Sequence, residues 1–195
     1  MQPFAEVIEC NHGSYLAQAW DIEKAPTFGS LVQVESNNKI IYGIVSSIST
    51  TSIDSIHYPF TYKKTEEELQ REQPQIFEFL KTNFNVSIIG YSENNSKIYY
   101  QIPDQTVKIH AFVKNCSIEV EQAIFSKTNF LSILFSNQIQ NIDELLLAIL
   151  NNLNNKKLIS KKYIEDFCYD FSLLNGNDYK RLKIFLKRVQ NIYQN

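Results

Sequence analysis

Ser30-Leu31-Val32-Gln33-Val34-Glu35-Ser36-Asn37-Asn38-Lys39-Ile40-Ile41-Tyr42-Gly43-Ile44-Val45-Ser46 decides the fold. Two β-rich runs flank an Asn-Asn pair. A primed two-residue hairpin turn needs positive φ at both central positions, and Asn tolerates that region better than most residues that carry a side chain. Residues 30–36 and 39–46 therefore read as the arms of a hairpin. The signal recurs on both sides: Asn94-Asn95 separates residues 85–93 from 96–102, and Asn11-His12-Gly13 separates 4–10 from 14–20. Hairpins at this density predict a small antiparallel barrel or sandwich.

Between the second and third hairpins the pattern changes. Thr65-Glu66-Glu67-Glu68 carries a capping box, with Thr65 at the N-cap and Glu68 three residues on. Pro74 would break that helix internally but suits the first turn of another. Ile76, Phe77, Leu80 and Phe84 supply its apolar stripe, so a two-part helical insertion is expected over residues 65–83. Pro103-Asp104 marks a turn within extended chain.

After Val113 the apolar period becomes helical. Val120, Ile124, Leu131 and Leu134 recur at that spacing, with an interruption near Thr128-Asn129. Asn141 with Glu144 reads as a cap before Ile142, Leu145, Leu146, Ile149 and Leu153, and Asn154-Asn155 ends that helix. Tyr163, Phe167, Phe171 and Leu174 make a further stripe, stopped by Asn175-Gly176. Asn177 or Asp178 caps a last helix bearing Leu182, Phe185, Val189 and Ile192. The expected class is α+β: a β domain over residues 1–117 with the insertion at 65–83, and a helical subdomain over 118–195.

Composition narrows the function classes. The chain has 195 residues, 44% of them hydrophobic and 13% aromatic, enough for a packed core. A net charge of -2 gives no overall attraction to nucleic acid or anionic membrane. The charge is unevenly spread, with nine basic against 14 acidic residues up to Glu119 and ten against seven afterwards. No basic, apolar leader opens the chain, and the apolar run 145–150 is too short to span a bilayer, so a soluble protein is expected. Cys10, Cys116 and Cys168 are few, odd in number and widely spaced, which fits a reducing compartment. Asn and Ile each make up about a tenth of the chain, a bias of AT-rich genes.

Candidate chemistry is sparse. None of Gly13, Gly29, Gly43, Gly90 and Gly176 precedes a Lys, so no phosphate-cradling loop is encoded. Cys10 and His12 would share one strand face, but no second pair completes a four-ligand metal site. Asp54, Ser55 and His57 lie close together without a nucleophile elbow or an oxyanion loop. These absences predict no enzyme, no cofactor, no metal and no small-molecule substrate. Lys180, Arg181, Lys183, Lys187 and Arg188 make the last helix basic opposite its stripe, and they are the candidate partner-binding residues. An acidic protein surface or a nucleic-acid backbone would suit them, and Glu66-Glu67-Glu68 of another copy is complementary.

Phe28-Gly29-Ser30-Leu31-Val32-Gln33-Val34, Ile41-Tyr42-Gly43-Ile44-Val45 and Ser52-Ile53-Asp54-Ser55-Ile56-His57 together resemble the HAS-barrel, a domain shared by HerA-type translocases and ATP synthase subunits. The resemblance continues through Glu67-Glu68-Leu69, Gln73-Pro74-Gln75-Ile76-Phe77 and Asp178-Tyr179-Lys180-Arg181-Leu182, where it is similar to a standalone family of cyanobacteria and plastids. It implies an antiparallel barrel of about six strands. In the ATPases the barrel precedes the motor and helps pack neighbouring subunits. It therefore implies a non-catalytic assembly module that docks on a partner complex without a motor of its own; the basic residues of the last helix make nucleic-acid binding the alternative. Together with the AT-rich composition it also implies a plastid-encoded stromal protein.

Overall fold

The computed structural model describes residues 1–53, 60–93, 97–137 and 139–193. Its strands are β1 (Pro3–Cys10), β2 (Ser14–Ala19), β3 (Leu31–Ser36), β4 (Lys39–Ser52), β5 (Leu80–Glu93), β6 (Ile98–Tyr99) and β7 (Phe112–Asn115). Its helices are α1 (Glu66–Glu72), α2 (Gln75–Glu78), α3 (Ile118–Ile124), α4 (Phe130–Ser136), α5 (Ile142–Asn155), α6 (Lys161–Leu174) and α7 (Tyr179–Tyr193). The sheet runs β2-β1-β7-β3-β4-β5, and β5 returns to pair with β2, closing six antiparallel strands into a barrel. β6 adds to β5 beyond the reach of β2.

The turn chemistry is what the hairpins required. Asn37 and Asn38 have φ of 54° and 59°, joining β3 to β4 in the register Ser36↔Lys39. At the first hairpin the Asn11 Oδ1 accepts hydrogen bonds from the backbone N–H of Gly13 (3.1 Å) and of Ser14 (2.9 Å). Such a side-chain turn replaces the ladder partners lost where the chain reverses. The third hairpin pairs Tyr91 with Tyr99 and Ser92 with Ile98, while its Asn94-Asn95 tip lies outside the described residues.

The insertion is shorter than expected. The Thr65–Glu68 capping box forms and Pro74 precedes α2, but the helix stops at Glu78, and residues 80–83 are strand. Leu80 and Phe84 satisfy both a helical stripe and a strand alternation, because an even spacing of four fits either period. Pairing decides the matter. β4 continues to Ser52, and Ser49↔Asn83, Thr50↔Thr82, Thr51↔Lys81 and Ser52↔Leu80 give the backbone a ladder. A helix there would have little to pack on, since neither α1 nor α2 buries a residue.

Two apolar clusters follow from strand alternation. Val7, Tyr15, Val32, Val34, Ile41, Phe84, Val86 and Val113 fill the barrel. On the outside of β3, β4 and β5, Leu31, Tyr42, Ile44 and Ile89 pack into a second cluster with the C-terminal helices. This wall is apolar on both faces, which is why the run from Ile40 to Val45 is almost continuously hydrophobic. Gly29 lets α5 approach: its φ is +76°, and a Cβ there would lie 2.9 Å from the Ala148 Cβ. The Asn152 Nδ2 donates to the Phe28 carbonyl at 3.1 Å beside it.

In the helical layer Phe167, Phe171 and Phe185 stack, with ring centroids 4.0 Å apart for Phe171 and Phe185. Leu174, read as part of that stripe, is instead exposed at the helix end. Asn141 precedes α5 with φ of 60° and no side-chain capping bond; its carbonyl, not its carboxamide, starts the helix. Asp178 caps α7, its Oδ1 accepting from the Arg181 N–H at 2.9 Å.

Candidate functional site

The C-terminal helices cover one wall of the barrel, and the wall of β1, β2 and β7 keeps a solvent-facing outer surface. Ala5, Val7 and Val113 point inward there, so Glu6 and Phe112, which are register partners, point outward. Trp20 follows β2, with its N–H donating to the Phe4 carbonyl at 3.0 Å. Its indole meets the Phe112 ring edge-on, with centroids 5.4 Å apart and planes at 84°. Both rings stay about half in water, at 54% and 51% exposure. Aromatic pairs of this size are normally sheltered, and an exposed one marks a candidate contact surface. Glu6 carries the His110 Nδ1 beside the pair.

The five basic residues singled out in the last helix have two fates. Lys180, Lys183 and Lys187 stand exposed on α7, spaced to lie on one face. Arg181 and Arg188 turn back to α5. The Arg181 Nε donates to the Asp143 Oδ2 at 2.9 Å, and its guanidinium lies over the Phe135 and Phe171 rings at 5.7 Å and 5.6 Å. Arg188 grips Glu144 through two bonds, Nη1–Oε1 at 2.5 Å and Nη2–Oε2 at 2.7 Å. The hydrogen bond from Arg188 holds the Glu144 carboxyl below its usual range. The two arginines thus tie α7 to the start of α5 with bidentate geometry that Lys could not supply.

A cleft of about 930 Å³ separates the barrel from the segment between α4 and α5. Ser14, Ser46, Ser47, Asn85 and Ser87 line it from the barrel, and Asn137, Gln140 and Asn141 line it opposite. Glu144, the carboxylate held by Arg188, also lines it. Apart from Glu144, the polar side chains lining it among the described residues are neutral hydrogen-bonding groups.

Cys10 and His12 flank Asn11 at the first hairpin, and no group of three or more His, Cys, Asp or Glu assembles with metal-holding geometry among the described residues. Asp54, Ser55 and His57 fall outside those residues. Cys116 is buried at the end of β7, where desolvation, assisted by the Glu121 carboxylate, pushes its thiol far above the usual range. The thiolate is the reactive form of cysteine, and burial disfavours it here. Glu121 is itself buried and bound by the Lys156 Nζ at 2.7 Å and 2.8 Å, which fastens α3 to the end of α5.

Sequence reasoning missed both the aromatic pair and the two interhelical clamps. Trp20 stands at a strand end and Phe112 in a strand too short to show alternation. The clamp partners lie 38 and 44 residues apart, and only the fold brings them together.

A six-stranded closed antiparallel barrel, extended by helices packed on one wall, defines this as a small barrel domain with a helical extension. The family model described as HAS barrel domain matches residues 4–94, and that segment is a HAS barrel domain. The match ends before β7, the strand that completes the barrel here. No curated protein matches the chain. Among the described residues, no helix is long and apolar enough to cross a membrane.

Proposed function

We propose that this protein is a non-catalytic accessory module, without a motor of its own, that docks on a partner protein complex through its barrel. The observation that carries this reading is the exposed Trp20–Phe112 pair on the wall that its own helices leave uncovered. Aromatic side chains with a polar surround make typical anchors of protein interfaces. The family resemblance supports an assembly role, and with the AT-rich composition it supports a place in the plastid stroma.

The exposed lysines of α7 favour a second reading, an accessory protein that binds nucleic acid. That reading is the weaker one, because Arg181 and Arg188 are engaged within the chain. Salt separates the two. Phosphate contacts weaken steeply as salt rises, whereas an aromatic anchor does not. The test is affinity capture of tagged protein from its native compartment in low and high salt, for wild type, a Trp20→Ser/Phe112→Ser variant and a Lys180→Gln/Lys183→Gln/Lys187→Gln variant. Docking through the barrel predicts a salt-resistant complex that only the first variant loses. A complex kept by that variant and lost by the lysine variant would overturn the reading.

A further inference from the structure

Two surfaces of this chain are complementary in charge, and among the described residues no ion pair joins them. The first lies on α7. Lys180, Lys183, Ile184 and Lys187 follow i, i+3, i+4, i+7 spacing, which places them on one helix face, opposite the buried Phe185 and Val189. Ile184 is 54% exposed between the lysines. Arg181 and Arg188 neutralise the nearby carboxylates of Asp143 and Glu144, and no carboxylate among the described residues pairs with the three lysines. The stripe is a cationic, partly apolar face with nothing packed on it.

The second surface is the α1–α2 insertion. None of its helical residues is buried, and a helix of seven residues is too short to be stable in water without tertiary support. Its charges are unbalanced. Lys64 and Arg71 both converge on Glu72, while Glu66, Glu67 and Glu78 have no cationic partner among the described residues. Phe79, beside Glu78, is 60% exposed. The insertion therefore presents free carboxylates and an uncovered aromatic ring, the counterpart of three lysines around an uncovered isoleucine.

We propose that the α1–α2 insertion of one copy docks on the lysine face of α7 of a second copy. The contact joins different surfaces of the two copies, so it closes as a twofold dimer where both insertions dock reciprocally and otherwise repeats head-to-tail into a ring or an open chain. It neutralises the surplus carboxylates and lysines together and gives the short helices the packing they lack. It uses neither Trp20 nor Phe112, so it stands or falls separately from docking through the barrel.

The experiment is sedimentation of the full chain at about 0.01 M and about 1 M salt, where the screening lengths are about 30 Å and 3 Å. Wild type should show a concentration-dependent rise in mass at low salt that is lost at high salt. Glu66→Lys/Glu67→Lys/Glu78→Lys and Lys180→Glu/Lys183→Glu/Lys187→Glu should each be monomeric at low salt. An equimolar mixture of the two should associate again, since each reversed surface then finds an opposite one. All six positions are exposed, and melting curves matching wild type show that the fold survives. A wild type that stays monomeric at low salt would overturn the proposal. So would a variant that associates like wild type, or a mixture that stays monomeric.

Discussion

Phe171→Ala tests whether the helical layer and the barrel form one cooperative unit. The Phe171 ring is fully buried, stacks on Phe185 at 4.0 Å, meets Phe135 at 5.8 Å and lies under the Arg181 guanidinium. Truncating a buried Phe costs about 3–5 kcal/mol in transfer energy and residual cavity. Two lost ring contacts and one cation–π contact place this site at the upper end, about 5 kcal/mol. For a chain of this size each kcal/mol lowers Tm by about 2–4 °C, so a fall of about 10–20 °C is expected. The assay is thermal unfolding followed by both far-ultraviolet dichroism and Trp20 fluorescence. Since Tyr42, Ile44 and Ile89 of the barrel share the cluster with Phe171, both signals should shift together. Leu174→Ala, at the exposed end of α6, is the control and should cost less than about 1 kcal/mol. Equal shifts for Phe171→Ala and Leu174→Ala would refute the placement of the stripe. A fluorescence transition unmoved by Phe171→Ala would refute the shared core.

Arg181→Gln removes a bidentate bond to a partly buried carboxylate and should destabilise by about 1.5–3 kcal/mol in urea unfolding, whereas Lys183→Gln should change nothing measurable. Glu144 has a folded pKa below its ordinary 4.5, so its contribution to stability is present above that value and disappears as pH falls through the depressed folded value. Glu144→Gln should therefore melt below wild type at neutral pH, with the gap closing in acid. Asn38→Gly should stabilise by about 0.5–1 kcal/mol, because glycine occupies positive φ without strain, while Asn38→Val should destabilise by about 1–2 kcal/mol. Gly29→Ala meets both a positive φ and the Ala148 methyl and should destabilise by about 1–3 kcal/mol in the same urea assay.

Local rules explain what the sequence disclosed. The hairpins were legible because Asn37-Asn38 and Asn11 carry the turn geometry in their own side chains and backbone. The apolar stripes of α5, α6 and α7 were legible because each repeats over three or more turns. Other features depend on distant partners. β7 holds four residues and exists as a strand because β1 and β3 lie on either side of it. Residues 80–83 are strand because β4 runs alongside. The basic character of α7 was visible, but charge on one helix cannot reveal that Asp143 and Glu144 take two of its five cations. Trp20 and Phe112 lie 92 positions apart in the sequence and become one feature only on a closed barrel.

The place of β7 in the chain also constrains how a ribosome can produce this molecule. When residue 94 has emerged, β1 through β5 exist in sequence, yet β1 and β3 each still lack a neighbour. Both remain open until residue 115, an interval of about one to four seconds at ordinary synthesis rates. During that interval the nascent chain presents two unpaired strand edges, the features through which β proteins aggregate. The sheet of the N-terminal segment thus stays incomplete until the last strand arrives to pair both edges.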